Sequence, residues 1–167
     1  MAEIATKDIQ SIVYIDESGI DDNKEYPYAW GKKGARIYAM KSGAKRKRLS
    51  IIGALNQNLL KAPFVFEGNC TREVFETYLI KILIPQVKPG QTIVMDNASF
   101  HKGGKIQSII ESAGCELTYL PAYSPDFNPI EHWWACVKHR IKQALPLYNR
   151  DIYKTAEFVF SKISSHR

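Results

Sequence analysis

Gln91-Thr-Ile-Val-Met-Asp96 is the stretch on which the fold turns. A short, almost unbroken apolar run of this kind reads as a strand buried on both faces. It lies between two helical patterns. Upstream, Thr71 to Ile84 carries Phe75, Leu79 and Ile82 at the i, i+4, i+7 spacing of an amphipathic helix. Pro85 is expected to stop that helix, because proline lacks an amide hydrogen and clashes with the preceding turn. Downstream, Lys105 to Ser112 reads as a short helix closed at Gly114, and Cys115 to Leu120 as a further strand. Strands that alternate with helices imply right-handed parallel crossovers.

Further upstream the pattern differs. Ser11 to Ser18, closed by Gly19, reads as a strand, as do Ala29 to Ala39, Arg48 to Leu55 and Leu60 to Glu67. Their linkers are short, so antiparallel pairing is the economical arrangement. Downstream, Pro121 to Pro129 is dense in turn formers. A helix is predicted to start at Asn128-Pro129, with Asn as the cap and Pro in the first position, and to run to about Leu145. Its buried stripe is Ile130, Trp134, Val137 and Ile141. A last helix, Asp151 to Ile163, places Ile152, Ala156, Val159 and Ile163 on one face. The predicted fold class is α/β: a mixed sheet, half antiparallel and half parallel, flanked by helices. The predicted organisation is a short linker over 1–10, a main domain over 11–145 and a helical tail over 146–167.

Of 167 residues, 45% are hydrophobic and 24% charged, which is globular composition. No run approaches the roughly eighteen apolar residues of a membrane span, and the first residues hold no apolar signal core. A cytoplasmic protein is expected. The formal charge of +6 favours a polyanionic partner, although solubility alone accounts for such a charge too. Cys70, Cys115 and Cys136 are widely spaced and read as reduced thiols. There is no H-E-x-x-H, no phosphate-binding G-x-x-x-x-G-K-[ST] and no G-x-G-x-x-G, so zinc proteolysis and nucleotide-driven chemistry have no support.

The acids carry the chemistry. Asp16 lies in an apolar strand and Asp96 ends another. A carboxylate there is costly unless it is paired, hydrogen-bonded or bound to a cation. Glu17 adjoins Asp16, but neighbours on a strand face opposite ways, and the pattern alone leaves open which of them faces a site. Glu131 follows Asn128 at the spacing of a capping box, so a helix cap accounts for it as well as a ligand role does. It shares a helix face with Lys138 and Lys142, which suits a metal ligand beside a DNA backbone and equally suits a solvated face. Three acids on different rigid elements are what in-line phosphodiester hydrolysis calls for. Two hard divalent ions, roughly 3.5–4 Å apart, can serve both the attacking water and the leaving oxygen.

Three blocks then occur in order. They are Ile15-Asp16-Glu17-Ser18-Gly19, Met95-Asp96-Asn97-Ala98-Ser99-Phe100-His101-Lys102 and Tyr123-Ser124-Pro125-Asp126-Phe127-Asn128-Pro129-Ile130-Glu131. Together they resemble the catalytic blocks of mariner-type DDE transposases, in the bacterial insertion-sequence branch. Thirty-four residues separate Asp96 from Glu131, the spacing of that branch. The resemblance runs from about Ile12 to Leu145. It implies a ribonuclease H-like fold, with Asp16 and Asp96 on neighbouring strands and Glu131 on a facing helix. It also assigns Asp16, rather than Glu17, to the site.

The implied cofactors are two Mg²⁺ or Mn²⁺ ions, bridged by Asp16 and held separately by Asp96 and Glu131. The implied reaction is nicking at transposon ends, followed by attack of the freed 3′-hydroxyl on target DNA, usually at TA. The implied partners are DNA, a second copy in the DNA complex, and a helix-turn-helix module. This chain begins almost at the first catalytic strand, so that module is expected on a separate protein encoded upstream.

Asn97 and His101 are candidates to orient Asp96 or to touch a phosphate, with a plain loop hydrogen bond as the alternative. Lys41, Lys45, Arg46, Lys47 and Arg48 form a basic segment that, with Lys102, Lys138 and Lys142, suits phosphate contact. A solvated loop explains the basic run equally well. Trp134 reads as core from its helical phase. Two other readings compete with a transposase. One is a structure-specific nuclease or resolvase on the same fold; the other is an inactive DNA-binding remnant of a mobile element.

Overall fold

Strand β1 (Ile12–Asp21) is the axis of the sheet, because it pairs on both edges. In this computed structural model residues 7–21, 48–98, 101–121 and 127–164 are described. The expected strand over 29–39 and the lysines and arginine at 41–47 lie outside them. On one edge β1 runs antiparallel to β2 (Arg48–Asn56), which pairs antiparallel with β3 (Leu59–Glu67). On the other it runs parallel to β4 (Thr92–Met95), which runs parallel to β5 (Glu116–Tyr119). The order is β3-β2-β1-β4-β5, the mixed sheet read from the sequence.

Alternation along the strands loads the two faces differently. Val13 and Ile15 of β1, with Ile52 and Ala54 of β2, pack against α1 (Arg72–Tyr78) and α2 (Gly104–Ser112) through Phe75, Tyr78, Ile106 and Ile110. Ile20 of β1, with Leu49, Ile51 and Leu55 of β2, packs against α3 (Ile130–Ala144) and α4 (Ile152–Ser164). Three layers result. The last helix shares its core with α3 through Ile152, Ala156, Val159 and Phe160.

Several local expectations shift. Strand β1 does not close at Gly19, which pairs with Ser50. A side-chain carbon on Gly19 would lie 2.7 Å from the Arg48 guanidinium, so the glycine makes room for that cation rather than for a turn. Pro85 does not end the helical segment. After Tyr78 the chain continues through a π-helical turn, Leu79–Leu83, and a tight turn, Ile84–Gln86, which holds Pro85 in its first residues. The wider turn moves the phase, so Leu83 is buried where Ile82 was expected to be and Ile82 is only partly covered.

At the start of α3, Pro129 already has helical angles (φ −64°, ψ −17°) and no side chain caps the helix. The Glu131 amide donates to the main-chain carbonyl of Asn128 at 3.2 Å. The Asn128 side-chain oxygen is buried without a partner among the described residues. A tight first turn therefore replaces the expected asparagine cap.

Candidate active site

The parallel register of β1 and β4 pairs Ile12 with Thr92, Val13 with Ile93 and Tyr14 with Val94. Two residues beyond the last of these pairs stand Asp16, inside β1, and Asp96, just past the end of β4. Two acids thus sit at matching heights on neighbouring strands. A continuous strand would give them the same face, because residues two apart share a side.

Asp16 is buried, 8% exposed, on the face covered by α3. The indole N–H of Trp134 donates to its Oδ2 at 2.9 Å. Opposite Asp16 in the sheet is Gly53. A Cβ there would come within 2.8 Å of Trp134 Cη2, so the missing side chain lets the indole lie close on the sheet and reach the acid. Burial pushes the Asp16 carboxyl up to about 7, and the negative charges of Glu17 and Glu131 add to the shift. The Glu17 amide and the Trp134 indole, by hydrogen bonding, offset only part of it.

Glu131 is exposed in the first turn of α3. It stands three residues before Trp134, hence on the same side of the helix. Since no side chain caps the helix, the capping-box alternative is not formed among the described residues.

Asp96 is held differently. Its Oδ1 accepts from the Ala98 amide at 3.1 Å and lies 2.6 Å from His101 Nδ1. The His101 bond holds the Asp96 carboxyl below the ordinary range, against a smaller opposing effect of burial, and the Ala98 amide helps. His101 itself is 1% exposed, and its Nε2 lies 2.7 Å from Glu17 Oε1. Burial opposes the charge on this ring most strongly. The hydrogen bonds to Asp96 and Glu17 and the two negative charges together outweigh it, and the imidazole is pushed up to about 9.

Asp16 therefore lies in the middle of β1 and Asp96 just past the end of β4, and the charge of Glu131 is felt at Asp16. Among the described residues no three such side chains are gathered closely enough to cage an ion as they stand. Asn97, beside Asp96, is partly buried. Of the basic candidates, the Arg48 guanidinium lies over Gly19 of β1. Lys102 is exposed, and its carbonyl accepts from Arg72 Nη2 at 2.7 Å. Lys138 is partly covered and Lys142 exposed on α3.

Two contacts went unread in the sequence. Trp134 is core, but it is also the hydrogen-bond donor to Asp16. The usable signal was that a buried indole needs an acceptor. Glu17 is the second anchor of His101, a contact between residues 84 positions apart that no local pattern reports.

The five-stranded sheet in the order β3-β2-β1-β4-β5 with helices on both faces is a ribonuclease H-like fold, the fold of the integrase and transposase structures it aligns with. Residues 11–151 match the model of the DDE superfamily endonucleases, and the chain belongs to that family. No curated protein sequence matches it.

Among solved structures, the Mos1 mariner paired end complex with Mn aligns with a TM-score of 0.65 at 16% identity over 98% of this chain and 56% of that one. The Mos1 transposase catalytic domain with Raltegravir and Mg gives 0.65 at 15% identity over 98% and 76%. The catalytic core of BIV integrase gives 0.59 at 14% identity over 95% and 86%. The chain spans 58% of the Mos1 chain in the pre-cleavage transpososome. No described helix is long and apolar enough to cross a membrane.

Proposed function

We propose that this chain is the catalytic domain of a transposase, nicking DNA at the ends of a mobile element and joining the freed 3′ end to target DNA. One observation carries the reading: Asp16 and Asp96 at matching heights on adjacent parallel strands, with Glu131 coupled to Asp16 from the helix that lies over it. Mos1 structures bearing Mg and Mn, and others of its paired-end and strand-transfer complexes, lend support by fold.

The donor set suits hard divalent cations, because all three candidates are carboxylates. The upward shift of Asp16, driven by burial and by two neighbouring acids, marks a place short of positive charge. Asp16, Asp96 and Glu131 would hold two Mg²⁺ or Mn²⁺ ions. When bound, such a pair acidifies the attacking water and stabilises the leaving oxygen of an in-line displacement.

The chain's own groups prepare the geometry. Trp134 fixes one Asp16 oxygen. The Ala98 amide and His101 both engage Asp96 Oδ1, and no described residue bonds Oδ2, which is left for a cation. Arg48, Lys102, Lys138 and Lys142 would meet phosphates, and Asn97 would steady the Asp96 turn. Residues 11–145 form the catalytic unit in this reading, acting in the cytoplasm as a dimer on DNA together with a helix-turn-helix module.

The test uses supercoiled plasmid bearing candidate ends, with Mg²⁺ or Mn²⁺. The native chain with its DNA-binding partner should nick and then form strand-transfer products, and Asp96→Asn should do neither while keeping its circular dichroism spectrum. Undiminished cutting by Asp96→Asn would defeat the mechanism. Cutting without any strand transfer would point to a nuclease instead.

A further inference from the structure

Asp16 and Glu17 are consecutive acids on opposite faces of β1. Glu17 lies among the residues that cover the α1 side, only 15% exposed, with Cys70 Sγ at 3.9 Å. A carboxylate in such surroundings is costly unless a partner compensates it. Its partner is His101, and His101 is fixed from every side. Its ring lies against Phe75, with centroids 4.4 Å apart, and its amide donates to the Ala98 carbonyl at 3.1 Å. Its carbonyl accepts from the Tyr119 hydroxyl at 2.8 Å, and its two ring nitrogens face Glu17 and Asp96.

We infer that Glu17 is a positioning residue for the reaction centre: through His101, it sets the rotation of the Asp96 carboxylate from the far face of the sheet. The inference rests on the site proposed above and adds to it a residue that never touches substrate or ion. The geometry gives the reason. His101 Nδ1 can hold Asp96 Oδ1 only while the ring keeps one rotation. A ring held by one nitrogen alone keeps a tilt about its Cβ–Cγ bond that packing against Phe75 narrows but does not fix. Glu17 at Nε2 removes that freedom, as outer-layer carboxylates do for histidines in metal sites. With Oδ1 doubly engaged, Oδ2 is presented in one direction.

Binding of Mn²⁺ alone to the full chain, read from the free-ion electron paramagnetic resonance signal, tests this. Glu17→Ala should weaken Mn²⁺ binding about tenfold, in the range seen when outer-layer partners are removed. Glu17→Gln keeps an oxygen at the same reach and should bind close to the native chain. Glu17→Ala added to His101→Ala should cost nothing further, since the two act in series. In the nicking assay the same loss should fall on kcat and leave the KM for DNA unmoved.

A Gln variant as weak as the Ala variant overturns the inference, because the carboxylate would then act by its charge through space. A Glu17→Ala loss that persists without His101 overturns it as well. Should Glu17→Ala fail to fold, His101→Ala carries the test alone, and native Mn²⁺ affinity in it refutes the role. Asp96→Asn, run in parallel, separates the two layers. Weakened binding there, with native binding in Glu17→Ala, removes only the positioning role. Native binding in Asp96→Asn removes the site beneath it.

Discussion

Replacing Asp16 by asparagine should make the ion-free protein more stable at pH 8, although it removes a residue proposed to be catalytic. The buried Asp16 carboxyl sits at about 7, against about 4 in an unfolded chain. Its value is raised on folding, so the folded state holds the proton more tightly. The stabilisation from that group is complete below about pH 4 and is lost as pH rises through 7. The gap corresponds to about 4 kcal/mol of destabilisation at pH 8 in the absence of cations.

Asparagine carries no charge and avoids that cost. Its amide nitrogen cannot accept a hydrogen bond, so one of the two donors to this side chain, the Trp134 indole or the Glu17 amide, is poorly served, at about 1–2 kcal/mol. The net expectation is a gain of about 2–3 kcal/mol at pH 8, with no gain at pH 4. Urea unfolding with chelator at both pH values measures it. Saturating Mn²⁺ should then reverse the order, since an ion that binds only the folded native chain stabilises it alone. An asparagine variant no more stable than native at pH 8, or one gaining equally at both pH values, would show that Asp16 is not a strained, cation-seeking acid.

Other consequences follow from the same contacts. Gly53→Ala should lower stability by about 1–3 kcal/mol and cut nicking sharply, because the new methyl would displace the Trp134 ring that holds Asp16; thermal melts and the plasmid assay check both. Lys138→Ala and Lys142→Ala should each weaken DNA binding across all sequences and reduce the slope of log affinity against log salt by about 1, measured by fluorescence anisotropy; an unchanged slope would remove α3 from the DNA face.

The described strands were legible because they depend on local signals: buried apolar runs, turn formers and the change of period after Glu67. The α3 stripe was legible for the same reason, and Ile130, Trp134, Val137 and Ile141 are all buried. Asp16 and Asp96 stood out as acids in apolar strands, and the register of β1 with β4 sets them at one level. What stayed hidden depends on the third dimension. Gly19 read as a strand end because a glycine often is one, whereas here it accommodates Arg48. The π-helical turn at Leu79–Leu83 breaks the spacing that a 3.6-residue pattern assumes. Glu17 looked like the spare member of an acidic pair. Only the fold brings His101 between Glu17 and Asp96.

The most direct measurement is anomalous scattering from crystals of this chain soaked in Mn²⁺. A peak between the carboxylates of Asp16 and Asp96, with a second site within reach of Glu131 or appearing when DNA is bound, is the expected result. Well-ordered aspartates with no manganese near them, or ions bound only elsewhere on the surface, would contradict the account.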